Sequence, residues 1–226
     1  ATGRKAVAFL GTTDEFSNMF SCSLRVVGQI FGSVEQAYQW GKCWLGEDDN
    51  ARKEVQGMTD DPKGCKWRCK MNNLSWKINP RLWHASKYQI MLSLQISKYR
   101  QNENLLQKLL ATGDAWLLEA PPYDAEWGCR MEKEDLRRYL QRSDSDLPGD
   151  NIMGNILMEV RAYFRGNNPF PASGQLVLKV GDFKSIFSQF EKQTKRFLEE
   201  NTQEALAVVY VPPRFGGSFV QEAKKS

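Results

Sequence analysis

A chain of 226 residues that is 41% hydrophobic and 12% aromatic can bury a sizeable core, which excludes a disordered or collagen-like polymer. Its 31 Lys and Arg against 27 Asp and Glu give a net charge of +4, compatible with a polyanionic ligand but short of a dedicated nucleic-acid coat. The longest apolar runs fall well below the ~20 residues that cross a bilayer, and no basic-then-apolar leader opens the chain, so neither membrane insertion nor secretion is expected.

In chain order, Ala1-Thr2-Gly3 begins without a methionine, and residues 1–8 read as a tail left by cloning, with a short extended piece at Ala6 to Leu10. A second extended piece is expected at Ser23 to Val27. Ser33 then opens a helix over Val34 to Gly46. Between Lys63 and Lys70 basic residues mix with Trp67, and Trp76-Lys77 to Arg81-Leu82-Trp83 repeats the mixture; such stretches can stack bases and neutralise phosphates, or form a solvated loop with packed tryptophans. His84 to Arg100 is helical, with Tyr88, Met91, Leu92, Gln95, Ile96 and Tyr99 on one face. Glu103 to Ala111 is a helix stopped at Thr112-Gly113, and Trp116 to Glu119 is a strand. Ile152 to Phe164 is a helix behind the turn Pro148-Gly149-Asp150-Asn151. The turn residues of Gly166 to Gly174 mark a boundary. Beyond it, Gln175 to Val180, the phenylalanine-rich stretch Phe183 to Phe197, and Ala205 to Val211 before Pro212-Pro213 read as a β-α-β extension.

Five cysteines, Cys22, Cys43, Cys65, Cys69 and Cys129, lack the paired spacing of a disulfide framework and suit reduced thiols. A zinc site has poor support, because His84 is the only histidine. The same count excludes any two-histidine site and would force a Ser-His or Cys-His mechanism through His84. Chemistry therefore falls to carboxylates, lysines, tyrosines or thiols.

Glu35, Tyr38, Gln39 and Lys42 are separated by three, four and seven residues and share one helical face, bringing together a carboxylate, a phenol, an amide and an amine. On spacing alone the plainer reading of the face is a solvated stripe with Glu35 as a first-turn acid. Asp124-Ala125-Glu126-Trp127-Gly128 places acids beside an aromatic in a loop. Trp83 and Lys87, four apart, bring a ring and an ammonium together, or form a core tryptophan with a snorkelling lysine. Gly149-Asp150-Asn151-Ile152-Met153-Gly154 offers a helix start to a phosphate, or a plain N-cap.

Taken in order, Phe16-Ser17-Asn18, Ser33-Val34-Glu35 through Lys42, Trp83 with Lys87, Leu109-Leu110-Ala111-Thr112, Asp124-x-x-Trp127-Gly128, and Gly149-x-Asn151-x-x-Gly154-x-x-Leu157-Met158-x-x-Arg161 resemble the NADAR, or YbiA-like, family over residues 9 to about 164. The family motif commonly reads S-E-H-Y-F-Q-A-x-K; here Gln36, Ala37, Tyr38 and Trp40 depart from it while the acid and the lysine are kept.

The resemblance implies a mainly α fold with short β-strands (α+β), with residues 9–166 as the catalytic domain and 167–226 as the appended β-α-β extension. It implies an N-glycosidase that hydrolyses a ribosyl C–N bond and needs no cofactor or metal. The substrate expected is ADP-ribose on guanine in RNA or DNA; the alternatives are phosphorylated riboflavin-biosynthesis intermediates, or a sensor that binds ADP-ribose without turnover. The location expected is cytoplasmic, or nuclear as well. Glu35, Lys42 and Asp124 are the expected catalytic residues. Asn18, Tyr38, Gln39, Trp83, Lys87, Trp127, Gly128, Asn151 and Gly154 are expected to bind substrate: the tryptophans stack a base, while Asn18, Asn151 and the helix start at Ile152 hold a diphosphate.

Overall fold

A computed structural model of the chain describes residues 5–26, 28–46, 48–58, 61–71, 80–142 and 147–166. The β-α-β extension expected over 167–226 lies outside the described residues. The elements are β1 (Ala6–Phe9), β2 (Leu24–Val26), β3 (Gln29–Phe31), α1 (Val34–Leu45), α2 (Asp49–Gln56), α3 (Pro62–Met71), α4 (Pro80–Gln101), α5 (Glu103–Ala111), β4 (Trp116–Glu119), α6 (Lys133–Arg142) and α7 (Ile152–Phe164). The class is α+β, mainly helical with short strands. β2 and β3 form an antiparallel hairpin, whereas β1 pairs in parallel with β4, from Ala6↔Trp116 to Phe9↔Glu119. β1 begins at Ala6 and the Lys5 carbonyl accepts from the Trp116 N–H, so residues 5–8 belong to the fold rather than to the tail expected over 1–8.

α1 is the central element. Ser33 is extended at its start, and its Oγ accepts a hydrogen bond from the Gln36 N–H at 3.1 Å. Gln36 reaches back to accept from the Gly32 N–H at 2.8 Å, a capping box displaced by one residue, and donates to the Val55 carbonyl at 2.9 Å. That amide thus locks the helix start to the end of β3 and to α2. Every residue from Val34 to Gly41 is buried, so the polar face predicted from spacing is turned inward rather than solvated. α2, α3 and α4 all pack against α1, and α7 lies on β4 and α4.

α4 begins one turn earlier than periodicity implied, with Pro80 at its first position, where a missing N–H costs nothing. It is also buried more completely than a one-faced helix: Ile90 to Ile96 are all buried, as are Lys98 and Tyr99. The Lys98 ammonium donates to the Glu15 and Ser17 carbonyls at 2.8 and 2.9 Å, which satisfies a charge that would otherwise be stranded in the core. Burial lowers Lys98 to about 8.

α7 is seated by Asn151 and Gly154. Asn151, in the left-handed region at φ 50, accepts from the Glu119 N–H at 2.9 Å and donates to the Leu117 carbonyl at 2.9 Å, so one side chain satisfies two backbone groups of β4. A Cβ on Gly154 would come within 2.0 Å of the Leu117 carbonyl oxygen. Gly154→Ala is therefore expected to destabilise the fold by about 3 kcal/mol, the upper part of the overpacking range, because the obstacle is backbone. Chemical denaturation checks this; a midpoint equal to the wild type's would mean that α7 can slide away from β4.

Candidate active site

Glu35, on the first turn of α1, is 2% exposed and is gripped by two amides. Asn18 Nδ2 donates to Oε2 at 2.6 Å and Gln39 Nε2 donates to Oε1 at 2.7 Å. The Glu35 N–H in turn donates to the Asn18 carbonyl at 2.8 Å. Both carboxylate oxygens act as acceptors, the arrangement that suits an ionised acid, and the side chain is fixed in one orientation. Asn18 rides on the loop that Lys98 holds from below, so the cation in α4 positions the amide that positions the acid.

One turn on, Tyr38 is the hub of an aromatic cluster. Trp83 from α4 tilts against it at 5.0 Å, and Trp127, from the loop after β4, meets it edge-on at 5.8 Å. Trp127 also packs on Tyr88 at 5.4 Å. Burial, followed by the charges of Glu35 and Glu126, pushes the Tyr38 phenol well above its ordinary value, so it is a neutral donor. The Lys42 ammonium reaches back over this cluster, 5.1 Å from the Tyr38 ring centre and 4.9 Å from that of Trp83. Burial lowers the Lys42 pKa, the nearby Lys66 charge adds to this, and Glu35 opposes both. A lysine treated this way carries more free amine at neutral pH than an exposed one.

The loop after β4 closes the other side. Asp124 Oδ1 accepts from the Glu126 and Trp127 N–H groups at 3.1 and 2.8 Å, folding the loop into the turn that presents Trp127. Glu126 pairs with Lys87 and accepts from the Tyr88 hydroxyl at 2.6 Å. Burial alone would raise Glu126, but those two donors bring its carboxyl below the usual range. Sequence reasoning passed over Glu119, the last residue of β4. Its carboxyl is pushed up to about 8, first by burial and then by the charge of Asp124. The Glu35 charge adds to that rise, while Lys66 opposes it. The available signal was an acid ending an apolar strand, Trp116-Leu117-Leu118-Glu119.

The expected site residues thus divide. Glu35, Tyr38, Gln39, Lys42, Trp83, Trp127 and Asn18 come together around the first two turns of α1. Gln39 and the Asn18 amide nitrogen are directed at Glu35 rather than outward to a ligand. Lys87 is tied to Glu126, and Asp124 spends one oxygen on its own loop. The expected diphosphate contact at the start of α7 is corrected outright. The N–H groups of Asn151, Ile152 and Met153 donate to the Gly128, Glu126 and Trp127 carbonyls, so that helix end already holds the loop. Gly128 is likewise a packing position, since a Cβ there would lie 2.2 Å from the Pro121 ring. Gly154 serves the α7–β4 contact rather than a ligand.

Glu119 carries a pH prediction. Its proton leaves near 8 in the folded protein and near 4.3 in an unfolded chain, so between those values the native state holds more protons and stability falls as pH rises. The cost is fully present above about 8. Glu119→Gln removes it, so the variant's gain in Tm over wild type should be larger at about pH 9 than at about pH 5. The same gain at both would refute the raised carboxyl.

The NADAR domain family matches residues 8–165, the span that runs from the second half of β1 to the end of α7. The chain belongs to the NADAR family. The NMR structure of Escherichia coli YbiA is similar in fold to this NADAR protein, with a TM-score of 0.56 at 23% identity over 78% of this chain and 94% of that one. Among curated relatives, an N-glycosidase of Acanthamoeba polyphaga mimivirus is 30% identical over 100 residues, 43% of this chain and 57% of the relative. A riboflavin biosynthesis protein of Vibrio vulnificus is 28% identical over 86% of this chain and 46% of its own length. An N-glycosidase of Nostoc punctiforme is 28% identical over 66% of this chain and 85% of its own length. The NADAR chain therefore spans about half the length of the first two.

Proposed function

We propose that this chain is an N-glycosidase that removes ADP-ribose from guanine in nucleic acid. The observation that carries the reading is Glu35, a buried carboxylate fixed by two amides beside a partly desolvated lysine and an aromatic cluster. Breaking a ribosyl C–N bond builds positive charge at the anomeric carbon and ring oxygen, and a preorganised carboxylate stabilises that charge without having to reorient. Glu119, protonated at neutral pH, supplies the proton that the departing base needs, while Trp83 and Trp127 offer ring faces to the base.

Lys42 supplies a covalent route. Its amine attacks the anomeric carbon as the C–N bond to guanine breaks, and the base leaves with the proton from Glu119. The resulting glycosylamine loses its amine proton and opens its ring to an imine on Lys42; water then adds to the imine carbon and releases ADP-ribose and the free amine. Support comes from the relatives named N-glycosidases. The riboflavin biosynthesis relative of Vibrio vulnificus favours a second reading, hydrolysis of a phosphorylated ribosylamine intermediate by the same groups. The reaction is proposed for the cytoplasm or nucleus, where cysteines stay reduced.

Turnover decides between them. An oligonucleotide carrying ADP-ribosylated guanine should lose its modification, seen as a gel shift with free ADP-ribose in the supernatant. Binding without release would make the protein a sensor, and turnover confined to a ribosylaminopyrimidine phosphate would select the second reading.

A further inference from the structure

α3 is an element that the proposed chemistry does not use, and its two sides are chemically opposite. Cys65 and Cys69, one turn apart, are buried against α1. Lys66, Trp67, Arg68 and Lys70 are exposed, and Trp67 shows 63% of its surface to solvent. An exposed tryptophan gains nothing for folding and leaves a large ring face wet. The helix contains no acidic residue, and Asp61, just ahead of it, has one oxygen accepting from the Gly64 N–H at 2.8 Å. The outward side is thus a cationic strip interrupted by one flat aromatic.

α3 packs on α1, the helix that carries Glu35 and Lys42, and the Lys66 charge is felt at both Lys42 and Glu119. At 1.5 Å per residue α3 is about 15 Å long, room for a few nucleotides of an extended strand. We infer that the outward side of α3 is the docking track for single-stranded nucleic acid flanking the modified base, with Trp67 stacking on a neighbouring base and Arg68 and Lys70 meeting phosphates. A polyanion with exposed ring faces matches both halves of the surface, whereas an acidic peptide or a lipid headgroup would match only its charge. This inference rests on the proposed nucleic-acid substrate but concerns affinity for the strand, not the reaction.

The test uses a short unmodified single-stranded oligonucleotide labelled with fluorescein, read by anisotropy, alongside turnover of ADP-ribosylated guanosine as an isolated nucleoside. Wild type should bind the oligonucleotide with an affinity that falls as salt rises. Trp67→Ala should weaken binding about tenfold or more, with Trp67→Phe restoring most of it, because a ring face rather than the indole itself is required. The double variant Arg68→Glu, Lys70→Glu should weaken binding and flatten its salt dependence. All three variants should release ADP-ribose from the nucleoside at the wild-type rate.

Wild type that ignores the oligonucleotide, or Trp67→Ala that binds it as tightly as wild type, would overturn the inference and leave the reaction untouched. Trp67-dependent binding to phosphatidylserine vesicles in place of the oligonucleotide would also overturn it. Conversely, Trp67-dependent oligonucleotide binding with no nucleoside turnover by wild type would uphold the track and sink the proposed function.

Discussion

Glu35→Gln is expected to fold like the wild type and to lose about 10²–10³ in kcat, the 2.7–4 kcal/mol seen when one preorganised electrostatic partner is removed. The side chains are nearly the same size, so the buried position accepts the change; the charge and one hydrogen-bond acceptor are lost. The surroundings sharpen the effect. Asn18 and Gln39 aim N–H groups at both carboxylate oxygens, and a glutamine amide must turn its own NH2 group toward one of those donors. Local repulsion follows, so a modest fall in Tm should accompany the loss of rate. Circular dichroism melting and single-turnover kinetics on the same sample separate the two effects. Activity near the wild type's would show that the carboxylate only braces the loop through Asn18.

Lys42→Arg separates the covalent route from a purely electrostatic one. Arginine keeps a cation above the Tyr38 and Trp83 rings, but its guanidinium does not lose its proton and is not a usable nucleophile. If Lys42 attacks the anomeric carbon, Lys42→Arg should fall by about 10³-fold or more, as activated nucleophiles do when removed. Borohydride added during wild-type turnover should reduce the imine to a secondary amine and leave ADP-ribose on the peptide containing Lys42, found by mass spectrometry. An active arginine variant with no trapped adduct would leave water as the attacking group, with Lys42 serving a phosphate.

The regular elements most legible in the sequence were those with a cap and a clear period. The helix read from Ser33 forms over Val34–Leu45, and the readings of α5, β4 and α7 agree with the observed bounds. α2 and α6 went unread because they are short and highly charged; α2 offers only Ala51 and Val55 to the core, too few apolar positions to establish a period. α3 contains a proline and a glycine and read as a basic stretch, although Cys65 and Cys69 one turn apart were a helical signal.

For the site, spacing along one helix could bring Glu35, Tyr38, Gln39 and Lys42 together, because that geometry is local. It could not show that Asn151 and Gly154 are committed to the Leu117 backbone, or that Asn18 turns toward Glu35, since those partners are distant in the chain. Lys98 was legible only as an oddity, a lysine within an apolar helical run; its partners are carbonyls 83 and 81 positions earlier.

The parallel pairing of β1 with β4 bears on where the chain can be cut. The Lys5 carbonyl accepts from Trp116 at 2.9 Å and the Phe9 carbonyl accepts from Ala120 at 3.1 Å, so the first strand clamps both ends of the one that terminates in Glu119. A fragment begun at Asp14, where the loop bearing Asn18 starts, would look intact when judged by its helices. It would nonetheless present β4 as a bare edge with unpaired backbone groups, open to pairing with another copy, and would let the proton-holding carboxylate drift. Expression boundaries for this domain therefore belong upstream of Lys5, since residues that resemble a dispensable leader hold the strand that ends in Glu119.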